Sequence, residues 1–158
     1  MIIADSSVFH ITGSFSVSAW IKKGTNPTGV WQAAVGRAAL SGSKDGFFLG
    51  TYGDEMDLAV DSATSYYECV TSSINLNTSS YYHIVGVFDD PNNITKLYVN
   101  GIQQATTGAC TPPITPTGNA APLYIGTDNA NEYFNGTIDE VRIYNRTLTQ
   151  AEITSLLA

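Results

Sequence analysis

The chain has 158 residues, a length that suits one domain with one core. Hydrophobic residues make up 43% and charged ones 13%, too apolar for disorder and too evenly spread for a membrane span. Fourteen acidic residues against seven basic ones give a net charge of −7, and apart from Lys22-Lys23 the basic residues are scattered, which speaks against DNA, RNA and anionic membrane as partners.

In chain order, Met1-Ile2-Ile3 leads directly into a turn-like Asp5-Ser6-Ser7, with no room for the regions of a signal peptide. An extracellular role would then require a longer exported parent protein or another route out. In the run 15–21, Phe15, Val17, Ala19 and Ile21 fall on one face, expected to be core, while serines and Trp20 fall on the other. Trp20 is read as packing between sheet and loops. Further strands are expected at 30–36, 47–52, 56–61 and 66–71. Asp57 and Asp61 alternate with Met56, Leu58 and Val60 and so lie on a face read as solvated.

A strand at 82–88 places His83 in alternation with Val85 and Val87 and reads it as a satisfied strand residue. Without charged gatekeepers this strand would offer an assembly surface if it lay at a sheet edge. Asn100-Gly101, between strands at 96–99 and 102–106, is a type I′ hairpin signal, because both positions require positive φ. Pro112, Pro113 and Pro116 mark 110–118 as a long connection between sheets. Strands at 123–126 and 137–144 follow. In the second, Asp139 shares parity with Val141 and Ile143, while Glu140 and Arg142 point the other way. Beyond Tyr144, the spacing of Leu148, Ile153, Leu156 and Leu157 and the capping box Thr149-Gln150-Ala151-Glu152 predict a short helix. The whole reads as all-β: a two-sheet antiparallel β-sandwich with a short C-terminal helix, a single domain over 1–158.

Cys69 and Cys110 match no zinc or thioredoxin spacing, and the favoured reading is a disulfide, the alternative being two free thiols. A disulfide implies an oxidising compartment. Sequons at Asn77, Asn93, Asn135 and Asn145 are compatible with secretion.

Several runs carry a family likeness. Gly13-Ser14-Phe15-Ser16-Val17-Ser18-Ala19-Trp20-Ile21-Lys22 resembles the opening strand of laminin-G-like jelly rolls, and Gly46-Phe47-Phe48-Leu49-Gly50 a strand that follows it. The run from Tyr82 to Asp89 and then Lys96-Leu97-Tyr98-Val99-Asn100-Gly101 resembles the central hairpin. Phe134-Asn135-Gly136-Thr137-Ile138-Asp139-Glu140-Val141-Arg142-Ile143-Tyr144-Asn145-Arg146, with Leu148, Glu152 and Ile153, is similar to the closing signature. The resemblance, to the laminin-G-like branch of the concanavalin A-like lectin/glucanase superfamily, implies a jelly roll and an extracellular or cell-surface binding or adhesion module. It does not specify a ligand.

That superfamily includes glycoside hydrolases, whose paired carboxyls resemble an E-x-D-x-E run. The nearest run here is Glu55-Met56-Asp57-Leu58-Ala59, where Ala59 takes the third place, and His10 and His83 support no triad. The chain is therefore expected to be non-catalytic. Asp139 on an apolar face needs a partner: either it caps the Asn135-Gly136 turn, or it binds a cation. The resemblance implies a structural calcium, with Asp139 as side-chain ligand and Asp5 as second contributor. Trp31, Tyr52, Tyr66 and Tyr67 are the candidate platforms for a sugar, and Asp128-Asn129-Ala130-Asn131-Glu132 a candidate polar loop. The expected partner is a glycan or an extracellular protein. Self-assembly into a surface layer, filament or virion is the competing role.

Overall fold

Each alternating run becomes a strand because its apolar half can be buried only against a second layer. In the computed structural model, residues 1–25, 29–37, 46–61, 66–71, 74–108, 110–111, 116, 120–127 and 133–158 are described. The strands are β1 (Ile2–Ile3), β2 (Phe15–Lys23), β3 (Trp31–Arg37), β4 (Phe47–Tyr52), β5 (Glu55–Asp61), β6 (Tyr66–Thr71) and β7 (Tyr82–Asp89). They continue with β8 (Ile94–Val99), β9 (Ile102–Gln103), β10 (Thr106–Gly108), β11 (Leu123–Ile125) and β12 (Gly136–Tyr144), and the chain closes on helix α1 (Gln150–Ser155). One antiparallel sheet runs β1-β11-β3-β4-β5-β6-β10 and the other β12-β2-β7-β8-β9.

The core lies between the sheets. Phe15, Val17, Ala19 and Ile21 of β2 face it as their alternation predicts, with Ile84 and Phe88 of β7 and Leu49, Met56, Leu58 and Val60 of the larger sheet. The Phe15 ring meets Phe47 at 5.2 Å and Phe88 at 5.6 Å. Cys69 and Cys110 form the expected disulfide, tying β6 to the segment after β10. Asn100 and Gly101 adopt φ of 48° and 76°, and Val99 pairs with Ile102 across the tight turn. Helix α1 starts from the predicted capping box: Thr149 Oγ1 accepts from the Glu152 N–H, and Glu152 accepts from the Thr149 N–H at 2.8 Å. Leu148 and Ile153 then cover Val85, Val87 and Tyr98 on the outer face of the five-stranded sheet.

Four expectations are corrected. The strand at 82–88, an assembly surface only if it lay at an edge, is internal: β7 lies between β2 and β8, so its backbone N–H and C=O groups are paired on both sides. The predicted strand 102–106 divides after Gln103, and β10 pairs with β6 in the other sheet, so the chain changes sheets there. The proline-rich connection after Cys110 lies largely outside the described residues, and the strands flanking it, β10 and β11, belong to the same sheet.

The fourth correction concerns Asp139. The β12–β2 register slips between Asp139 and Arg142, with Glu140 at φ 49°, which is a β-bulge. One extra residue reverses the parity of everything before it. Ile138, not Asp139, therefore shares the core face with Val141 and Ile143, and Asp139 is exposed. The edge strand β12 is thus kinked at mid-length and carries the Glu140–Arg142 ion pair at 2.6 Å, features that oppose edge-to-edge pairing.

Candidate functional site

On β4, Phe47 and Leu49 point into the core, so Phe48, Gly50 and Tyr52 point outward. The Phe48 ring folds over Gly50: a Cβ there would come within 2.6 Å of Phe48 Cζ. Pairing of β3 with β4 sets Trp31 opposite Tyr52, and their rings meet at 4.3 Å with planes 36° apart. Trp31 also stands edge-on to Phe48, at 6.2 Å and 88°, and Phe48 is buried with Ala33 and Ala59 beneath it. The buried Phe48 thus supports the half-buried Trp31, which in turn meets the half-buried Tyr52. Tyr133, 64% exposed, bridges to Ala33 and adds an aromatic on that side. Nothing in the sequence marks Tyr133, because it lies in no alternating run and only a long-range bridge brings it to β3.

Polar contacts fix the rim. Lys23, almost fully buried, donates to Gly53 O at 2.6 Å and to Asp54 at 2.9 Å, anchoring the turn after Tyr52. Gln32 Oε1 accepts from the Asn135 N–H at 3.2 Å, and Asn135 Nδ2 donates to Thr25 O at 2.9 Å. These bonds join the β2 and β12 ends to the β3–β4 end of the larger sheet.

The same outer face carries the acids of β5, but it is not solvated as expected. Asp57 is 0% exposed and Asp61 3%, and both are engaged in interactions within the molecule. Register places Asp57 opposite Gly50, and Ala59 opposite Glu68 of β6.

The four predicted platform residues separate. Trp31 and Tyr52 come together. Tyr67 pairs with Val60 and shares parity with Cys69, whose side chain is in the core, so it belongs to the opposite face of the sheet. Tyr66 lies at the start of β6, its backbone opposite Asp61. The loop 128–132 lies outside the described residues.

The residues expected to bind calcium do not fit it as a pair. Asp5 accepts from His10 Nε2 at 2.9 and 3.1 Å and from the Ala121 N–H at 3.2 Å, and Arg37 Nη2 of β3 lies 3.6 Å away. Burial pushes its carboxyl up, but the His10 hydrogen bond and charge, then the Ala121 N–H and Arg37, hold it below its ordinary value. A dication brought to Asp5 would meet a guanidinium already there. Asp139 stands in the other sheet, opposite Trp20, where it accepts from the Glu140 N–H at 2.8 Å. Among the described residues, no three His, Cys, Asp or Glu side chains cluster as metal ligands.

Trp20 does pack, as expected: its indole lies 5.3 Å from the His83 ring on the outer face of the five-stranded sheet. His83 is not satisfied, however. It is 2% exposed and its Nδ1 has no hydrogen-bond partner among the described residues; burial, and then the charge of Arg142, push its pKa down.

Comparison with known proteins agrees with this architecture. The CBM40 module of the Ruminococcus gnavus IT-sialidase, solved with α2,3-sialyllactose bound, superposes with a TM-score of 0.74 at 16% identity, over 98% of this chain and 91% of that one. Domain 4 of AbnA, a GH43 extracellular arabinanase from Geobacillus stearothermophilus, solved in complex with arabinotriose, gives 0.71 at 22% identity, over 99% and 71%. The binding domain of botulinum neurotoxin serotype G gives 0.69 at 13% identity, over 98% and 37%. No curated protein matches the sequence. The Laminin_G_3 family model, described as concanavalin A-like lectin/glucanases superfamily, matches residues 1–154, and the chain belongs to that family.

Proposed function

We propose that the chain is a non-catalytic, extracellular glycan-binding module whose sugar platform is the Trp31–Tyr52 pair. The observation that carries this is the geometry of the pair: two part-exposed rings in contact, backed by Phe48, with a polar rim held by Lys23, Gln32 and Asn135. An aromatic surface edged by polar groups suits the face of a sugar ring and its hydroxyls. The likeness to carbohydrate-binding modules supports the reading, and the disulfide supports an oxidising compartment.

Two features support the absence of catalysis. Ala59 replaces the third carboxyl of the hydrolase-like run, and Asp57 is fully buried, out of reach of a substrate that a nucleophile must touch. A glycan array probed with the intact chain tests the proposal. Binding to a defined set of glycans is expected, and an array with no signal above background would overturn it.

A further inference from the structure

A groove distant from the platform lies between the N-terminal segment and the turn after β12. Its volume is about 580 Å³, and Val8, His10, Gly13, Asn145, Arg146 and Thr147 are among its walls. A smaller cavity of about 310 Å³ shares Val8, Ile11 and Asn145 with it and adds Phe9, Ile143 and Tyr144. Both volumes fall within the small-molecule range of about 300–1,000 Å³. The groove opens beside Ser14 at the start of β2, whereas Lys23, which anchors the turn next to Tyr52, ends the same strand. Nine extended residues set the two places about 26 Å apart.

We propose that this groove is a second saccharide site, taking a neutral sugar unit. The inference rests on the glycan-binding reading above and adds a place to it. Its walls hold two groups that can carry positive charge, and each already has an acidic partner: Arg146 lies 2.8 Å from Glu152, and His10 lies 2.9 Å from Asp5. No cationic group remains to favour an anion. The polar groups left include the hydroxyls of Ser7, Thr12 and Thr147 and the amide of Asn145, for which the described residues provide no partner. They stand beside the apolar side chains of Val8, 74% exposed, and Ile11. Hydroxyl and amide groups around an apolar surface, without net charge, match an uncharged sugar. The wall is also preset: Ser16 Oγ donates to Arg146 O at 2.9 Å and accepts from the Leu148 N–H at 3.0 Å, fixing the turn that bears Thr147.

Gly13 supplies the test, because a Cβ built there meets nothing within 4 Å among the described residues. A Gly13→Phe substitution should plug the groove without disturbing the fold. The intact chain is titrated with arabinotriose, lactose and α2,3-sialyllactose while backbone amide and Trp31 indole NMR signals are followed. The inference expects shifts at Gly13, Asn145 and Thr147 with arabinotriose or lactose, weakened about tenfold or more in Gly13→Phe while the Trp31 response persists. If Gly13→Phe does not fold, Thr147→Val serves in its place. A response at Trp31 with silent groove amides overturns the second site and leaves the platform standing; silence at both overturns the glycan-binding reading as well. Tighter groove binding of sialyllactose than of lactose overturns the assignment to a neutral sugar.

Discussion

The indole of Trp31 lies 4.3 Å from the ring of Tyr52, and the two come from different strands that pair in register. Because Phe48 holds the indole from below, removing the indole should affect binding more than folding. Trp31→Ala is expected to weaken glycan binding about tenfold or more and to cost about 1–2 kcal/mol of stability. Tyr67→Ala, on the other face of the sheet, should leave affinity unchanged. Calorimetric titration of both variants against an array-identified glycan checks this; wild-type affinity in Trp31→Ala would remove the platform.

Asp5 is held by His10, Arg37 and the Ala121 N–H, partners that satisfy its carboxylate without a cation. The thermal midpoint should be the same in excess chelator and in millimolar calcium, whereas Asp5→Asn should lower it in both. A rise in midpoint on adding calcium, with metal found by elemental analysis, would restore the metal site.

Burial of His83 against Trp20, with the charge of Arg142 nearby, lowers its pKa. The unfolded chain then binds the proton first. The stability tied to His83 is full above the unfolded value of about 6.5 and is lost as the pH falls below it. Chemical denaturation at pH 7.5 and 5.5 should show a steeper loss in the wild type than in His83→Gln. Equal losses would show that the imidazole is not the group responsible.

The Cys69–Cys110 bond closes a loop with a sequence separation of 41. Replacing both cysteines by alanine should destabilise the chain by about 4 kcal/mol in the chain-entropy model. Guanidinium unfolding of the double variant measures this, and reduction of the wild type should reproduce most of the effect.

Much of the fold was legible because burial acts on neighbours in sequence. Phe15, Val17, Ala19 and Ile21 alternate, and that alone fixes which face of β2 is core. The turn at Asn100-Gly101 and the cap at Thr149 and Glu152 are equally local. Family membership was legible in runs such as 134–146, where many such local features succeed one another.

The site was less legible, because its parts depend on pairing. Trp31 and Tyr52 were recognisable as candidates, but Tyr67 looked equivalent until register placed it on the other face. Asp57 and Asp61 alternate as solvated residues would, yet they are buried, since alternation states which face a side chain takes and not what covers that face. Asp139 shows the limit most clearly. Its parity with Val141 and Ile143 holds in a regular strand, and the bulge between Asp139 and Arg142 reverses it. Hydrophobic alternation, turn chemistry and capping are short-range, and the sequence by itself determined most of the strands, the core face of β2 and the family. Register, bulges and the meeting of distant segments at Tyr133 or at the groove beside Gly13 arise from many weak contacts satisfied together, and only the tertiary structure decided them.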